Sequence, residues 1–276
     1  MQHNAGDSAS SMNEQPIGVF DSGIGGLSVV THILKLLPRE NIIYFGDTAR
    51  VPYGSRSNEI VQTYAVEDAA FLTSKNVKAM VIACNTVSAV GLEKVRAAFS
   101  VPVIGVIIPG AQAAARTTKN KKVGVIGTIA TIASQSYANA IRLIDPAIEV
   151  TSQPCPLFVP LAEEGWTTHK ASQLIAEEYL EPLKDAKVDT LVLGCTHYPL
   201  LHDIIHKTMG AGVTLVNPGE ETVRWTKDFL AQHNLLNKSG QPPRHSFYVS
   251  DLPQKFLEVG ERFLGMKLEN VEKIDI

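Results

Sequence analysis

Two segments of this chain, residues 77–86 (VKAMVIACNT) and 188–197 (VDTLVLGCTH), each run through an apolar stretch and stop on a cysteine followed by small polar residues. An apolar run without polar alternation is the pattern of a parallel strand covered by helices on both faces. Open α/β sheets bind their ligands beyond the carboxyl ends of such strands. Each segment therefore delivers a thiol, Cys84 or Cys195, to a ligand-binding edge, and two matching thiols suggest one site with two faces.

The repetition extends beyond the cysteines. Residues 17–20 (IGVF) recur as 123–126 (VGVI), and 101–110, ending Ile-Pro-Gly, recur as 213–219, ending Asn-Pro-Gly. Three similar elements in one order at nearly constant offset predict a duplicated α/β unit. Strands are expected over 17–20, 41–45, 80–83, 103–108, 123–126, 148–151, 191–193, 213–216 and 247–249. Helices are expected over 27–37, with Val30, Ile33, Leu34 and Leu37 on one face, and over 172–183, with Ile175, Tyr179 and Leu183 on one face. Pro38 and Pro182 mark their ends. The predicted fold class is α/β, with two similar doubly wound domains, mainly parallel sheets and the site between them. Boundaries at Pro109 and Pro218 divide the chain into 16–108 plus 218–276 and 109–217. Residues 1–15, too poor in apolar side chains to pack, are expected to be a flexible extension.

The 276 residues are 45% hydrophobic and 19% charged, enough to bury a sizeable core. A net charge of −3 and no basic run argue against nucleic acid or an anionic membrane surface as partner. No stretch approaches the roughly 20 apolar residues of a membrane span, and a cytoplasmic location is the default. Three cysteines without close spacing fit neither a disulfide framework nor a zinc site. Free thiols are expected, and no metal.

The loop Asp21-Ser22-Gly23-Ile24-Gly25-Gly26-Leu27 joins the first strand to a helix. Its glycines let a ligand approach the backbone and a helix N-terminus. A dinucleotide fingerprint is not matched, because Ser28 stands where the third glycine belongs. Asp21 would repel a pyrophosphate, but it suits a substrate ammonium or a bond to a base; its structural alternative is to cap the helix turn. His197, two residues past Cys195, can stabilise a thiolate or act as an acid, or else cap the helix opening at Pro199. In the loop 46–54, Tyr53 and Gly54 can present a phenol and a backbone N–H to a small ligand, while Asp47 and Arg50 can pair to fix the loop. Cys155, between two prolines and without a partner segment, reads as a buried hydrophobe.

Through GVFDSGIGGLSV, YFGDTARVPYG, ACNT and GCTHYPLL the chain, from Ile17 to about Leu264, resembles the glutamate racemases of the cofactor-independent aspartate/glutamate racemase group. The resemblance implies that Cys84 and Cys195 are two acid/base thiols, assisted by Asp21 and His197. It places Asp21, Ser22, Tyr53, Gly54, Asn85, Thr86, Thr196 and His197 at substrate-binding positions, with Thr128 and Glu163 as further matches. It also implies glutamate as substrate, no cofactor, and D-glutamate supplied to peptidoglycan synthesis. A homodimer is compatible with the sequence, and binding to DNA gyrase, reported for some members of that family, has no supporting feature in these residues.

Inverting a stereocentre needs one group to remove the α-proton and another to deliver a proton to the opposite face, so two converging acid/base groups are the minimum. By the resemblance, Cys84 takes the proton of D-glutamate and Cys195 that of L-glutamate. An aspartate or hydantoin racemase is the same-fold alternative. A Cys/His hydrolase leaves the second thiol unexplained, and a non-catalytic binding protein leaves both without a role.

Overall fold

Every strand pairing in the computed structural model is parallel, as the unalternating apolar runs require. The structure describes residues 12–268 and 271–276. The strands are β1 (Ile17–Asp21), β2 (Ile42–Gly46), β3 (Ala79–Ile82), β4 (Val103–Gly105), β5 (Lys122–Gly127), β6 (Glu149–Pro154), β7 (Thr190–Gly194), β8 (Thr214–Val216), β9 (His245–Val249) and β10 (Val271–Lys273). The helices are α1 (Leu27–Leu36), α2 (Asn58–Ser74), α3 (Asn85–Val90), α4 (Leu92–Ala98), α5 (Ile107–Thr117), α6 (Ile129–Ala133), α7 (Ser136–Ile144), α8 (Phe158–Glu163), α9 (Lys170–Asp185), α10 (His202–Met209), α11 (Pro218–Gln232) and α12 (Pro253–Leu264).

The strands form two sheets, ordered β10-β9-β2-β1-β3-β4 and β6-β5-β7-β8. The duplication is visible in this order, since β2-β1-β3-β4 and β6-β5-β7-β8 are the same arrangement. Register repeats as well: Ile17 pairs with Ala79, and Val123, its counterpart, pairs with Thr190. Strand residues alternate between two buried faces. Ile17 and Val19 enter one core and Phe20 another, while Val123 and Val125 enter a third and Ile126 a fourth. In each sheet the chain reverses direction of travel between its first and third strands, and a switch point of this kind opens a crevice at the carboxyl ends. Asp21 and Cys84 end β1 and follow β3 at one crevice; Gly127 and Cys195 end β5 and follow β7 at the other.

Some expectations are corrected. The strand expected to reach residue 108 stops at Gly105, and α5 begins at Ile107. Pro109 lies in its first turn, where a missing N–H costs nothing. Pro182 does not end its helix: α9 continues to Asp185, with the Pro182 carbonyl accepting from Ala186 N. Strand β10 was not expected. Of the extension, residues 1–11 lie outside the described residues. Residues 12–15 are tied down, with the Asn13 carbonyl accepting from Lys78 Nζ at 2.6 Å and that of Glu14 from Asn41 Nδ2 at 2.6 Å.

Candidate active site

Cys84 is the N-cap of α3, and Cys195 begins the turn that leads through a short 3₁₀ helix into α10. Both are buried and free, and both line one cavity of about 380 Å³. Ser22, Tyr53, Gly54, Asn85, Thr86, Thr128, Glu163, Thr196 and His197 line it too. Ile24, Val51, Pro52, Ile129, Val159 and Pro160 supply apolar walls. A larger cleft of about 480 Å³, near His32 and His202, contains neither thiol; the chemistry is concentrated in the smaller one.

Asp21 alone among the expected residues does not line the cavity. It is fully buried behind Ser22, where Oδ2 accepts from Gly23 N at 3.2 Å and Oδ1 from the Thr196 hydroxyl at 3.5 Å. It therefore holds the loop through these donors, and its carboxyl acts electrostatically on Cys84. Burial raises its pKa, opposed by the charge of His197 and by N–H donors from Gly26 and Gly23. The Cys84 thiol is pushed up to about 12 by burial, with the Asp21 carboxylate adding to the shift. Its Sγ lies 3.7 Å from Ser22 Oγ.

Different partners surround Cys195. His197 Nδ1 is 3.8 Å from Cys195 Sγ, and Nε2 is 3.1 Å from Glu163 Oε1. The imidazole makes no side-chain cap bond to the following helix; its two nitrogens face the thiol and Glu163 instead. Burial lowers the pKa of His197, but bonds to Cys195 and Glu163 outweigh it and bring the group up to about 10. Phe263 of α12 meets the imidazole edge to face at 5.5 Å. The backbone of Gly25 passes on another side; a methyl there would sit 2.6 Å from the ring, so this position needs glycine for close approach.

The two halves interlock around the cavity through hydroxyls. Thr86 Oγ1 is 2.9 Å from Thr128 Oγ1 and 3.2 Å from Thr131 Oγ1, and Ser28 Oγ donates to the Thr196 carbonyl at 2.9 Å. Thr128 also caps α6. Gly54 lies against Thr128, where a Cβ would fall 2.6 Å from that of the threonine. Tyr53 corrects an expectation. Its phenol is not offered to a ligand: the ring is buried and the hydroxyl donates to Asp47, with Asp68 Oδ2 at 3.1 Å. Arg50 pairs with Asp47 and Asp68, so the loop 46–54 is fixed by ions and presents its backbone and edge to the cavity. Thr131 and Tyr137, whose hydroxyl donates to Asn85 Oδ1 at 2.6 Å, were missed by sequence reasoning. Each sits on a helix with apolar neighbours, and no local motif marks it.

Among the described residues no group of three or more His, Cys, Asp or Glu is placed to hold a metal ion, and no helix is long and apolar enough to cross a membrane.

The family model described as Asp/Glu/Hydantoin racemase matches residues 17–226. The chain is 52% identical over 260 residues to the glutamate racemase of Geobacter metallireducens, covering 94% of this chain and 96% of that protein. Among solved structures it is similar to glutamate racemase from Francisella tularensis in complex with D-glutamate, at 43% identity and a TM-score of 0.90, covering 95% of this chain and 98% of that one. It is also similar to a glutamate racemase isoform from Bacillus anthracis, at 40% identity and a TM-score of 0.92, covering 96% and 98%. Matched strand ends, a shared cavity and these likenesses agree: the chain belongs to the Asp/Glu/Hydantoin racemase family, and is an isomerase.

Proposed function

We propose that this protein interconverts L-glutamate and D-glutamate by proton transfer between two cysteines, without a cofactor. The observation that carries the reading is that Cys84 and Cys195, at equivalent ends of duplicated strands, line one cavity with unlike partners. Glutamate as substrate is supported by the relatives at about half identity and by the Francisella tularensis complex.

For L-glutamate, Cys195 Sγ takes the α-proton while His197, as imidazolium held by Glu163, faces the sulfur and supports a thiolate. The electron pair left on the α-carbon is spread into the carboxylate. Cys84, kept as a thiol by burial and by Asp21, then delivers its proton to the opposite face. Reversal uses Cys84 as base and Cys195 as acid. Raising the acidity of the α-carbon falls to hydrogen-bond donors on the wall, Asn85, Thr86 and Thr128 among them, set beside the apolar side chains of Val51, Ile129 and Val159. The units 16–108 plus 218–276 and 109–217 form the two walls. D-Glutamate made in this way supplies peptidoglycan synthesis in the cytoplasm.

The test is to incubate the pure protein with each enantiomer of glutamate and of aspartate in deuterated water containing a chelator. Product glutamate should carry deuterium at the α-carbon in both directions. Faster turnover of aspartate would overturn the substrate, while retention of the original proton or inhibition by the chelator would overturn the two-thiol mechanism.

A further inference from the structure

Asn85 adjoins Cys84 and lines the cavity, yet an asparagine amide can turn either a carbonyl or an NH₂ toward a ligand. A substrate carboxylate accepts only, so the wrong orientation would set two acceptors against each other. One side chain of the opposite half resolves the choice. The Tyr137 hydroxyl, from α7, donates to Asn85 Oδ1 at 2.6 Å, and both residues are buried. Among the described residues no other bond to the Asn85 side-chain amide is made, which leaves Nδ2 for a ligand.

The position of the tyrosine is itself built. Its ring lies in a slot between Gly110 and Gly194, where an added Cβ would come within 3.1 and 3.2 Å of ring carbons. Ser136 Oγ, one residue earlier, donates to the Ala89 carbonyl of α3 at 3.0 Å and pins the start of α7 on the helix that Asn85 opens. A buried O–H left without an acceptor costs more than an unused phenol lone pair, so the hydroxyl takes Asn85 Oδ1 as its acceptor and turns the amide accordingly.

We propose that Tyr137 is the positioning residue for Asn85, holding its carbonyl so that Nδ2 donates to the substrate's carboxylate. This rests on the reading of the cavity as an amino-acid site. Tyr137 reaches across from the second half, so the carboxylate-binding group beside Cys84 is in place only when the two halves are docked.

Tyr137→Phe keeps the ring and removes only the hydroxyl. Steady-state kinetics with both glutamate enantiomers should show KM raised about tenfold for each, with kcat changed less. In an Asn85→Ala background the same substitution should add no further loss, because the hydroxyl acts through the amide. An unchanged KM in Tyr137→Phe, or losses that add in the double variant, would overturn the assignment. Asn85→Asp covers the case in which Tyr137→Phe fails to fold: it still accepts from Tyr137 but turns an anionic oxygen to the ligand. Its KM should rise at least as far as that of Asn85→Ala, and a wild-type KM would count against the proposal. Wild-type protein inert toward both enantiomers would instead break the functional reading, and is told apart because all the variants would then be equally silent.

Discussion

The ends of β3 and β7 are equivalent places in a duplicated unit, and each carries a buried cysteine, but their surroundings are opposite in charge. Cys84 faces a buried carboxylate, Asp21, and a hydroxyl, Ser22. Cys195 faces an imidazole whose proton is retained up to about 10 and is backed by Glu163. Register explains where the difference entered. Thr86 of the first copy corresponds to His197 of the second, and Asp21 at the end of β1 corresponds to Gly127 at the end of β5. The two matched strand ends carry two thiols with unlike neighbours, a carboxyl and a hydroxyl beside one and an imidazole beside the other. The proposed two-base reaction needs one thiol to give a proton while the other takes one, and a symmetric pair would offer no such distinction.

Removing either thiol should have the largest effect. Cys84→Ala and Cys195→Ala are each expected to lose racemisation by about three powers of ten or more. The comparison is sharpened by solvent exchange: Cys84→Ala should wash deuterium into L-glutamate but not D-glutamate, and Cys195→Ala the reverse, read by proton NMR. Exchange with the opposite pattern would mean that the two ends have been assigned to the wrong faces.

Next come the partners of Cys195. His197→Asn should lower activity by about a hundredfold and Glu163→Gln by about tenfold. Because enantiomers have equal free energies, kcat/KM must fall equally in both directions. Any asymmetry therefore appears in kcat, which should fall more with L-glutamate as substrate. Equal loss of kcat from both sides would show that His197 does not serve Cys195 selectively.

Gly25→Ala presses a methyl against Thr196 and His197 and should cost about 1–3 kcal/mol of stability along with part of the activity, measured by denaturant midpoint and kcat. A separate effect lies in the pH dependence of stability. His197 keeps its proton to about 10 in the folded protein against an ordinary 6.5, so the folded state binds a proton that the unfolded chain releases between those values. This contribution is full below about 6.5 and is lost as pH rises toward 10; midpoints compared at several pH values should show a flatter decline in His197→Asn. Cys155→Ala should change activity least. That thiol is buried, meets the Gln153 carbonyl at 3.6 Å and does not line the cavity, so activity within about twofold of wild type is expected despite a loss of packing.

Legibility followed the range of the signal. Strands β1, β3, β5 and β7 could be read because buried parallel strands announce themselves as short apolar runs. Strand β10, with half-exposed Val271 followed by exposed Glu272 and Lys273, has no such run. The helix break expected at Pro182 failed because a proline in the last turn removes only one bond of a helix already held by its apolar face. Tyr53 was recognised as a residue of the site but its phenol was misdirected, since nothing local reveals that Asp68, fifteen residues away on α2, would be buried beside it.

The sequence by itself determined the duplicated parallel α/β architecture and the placing of a thiol at two equivalent strand ends, because both are written in contiguous apolar runs and the residues that stop them. Only the tertiary structure decided what each thiol meets. Ser22 is brought to Cys84 across 62 positions, Glu163 to His197 across 34, and Tyr137 to Asn85 across 52. Such pairs have no periodicity of their own; the first two form at the switch-point crevice of a single half, and the third exists because the two halves dock. Burial at these places removes the water that would otherwise screen Asp21 from Cys84 and the His197–Glu163 pair from Cys195.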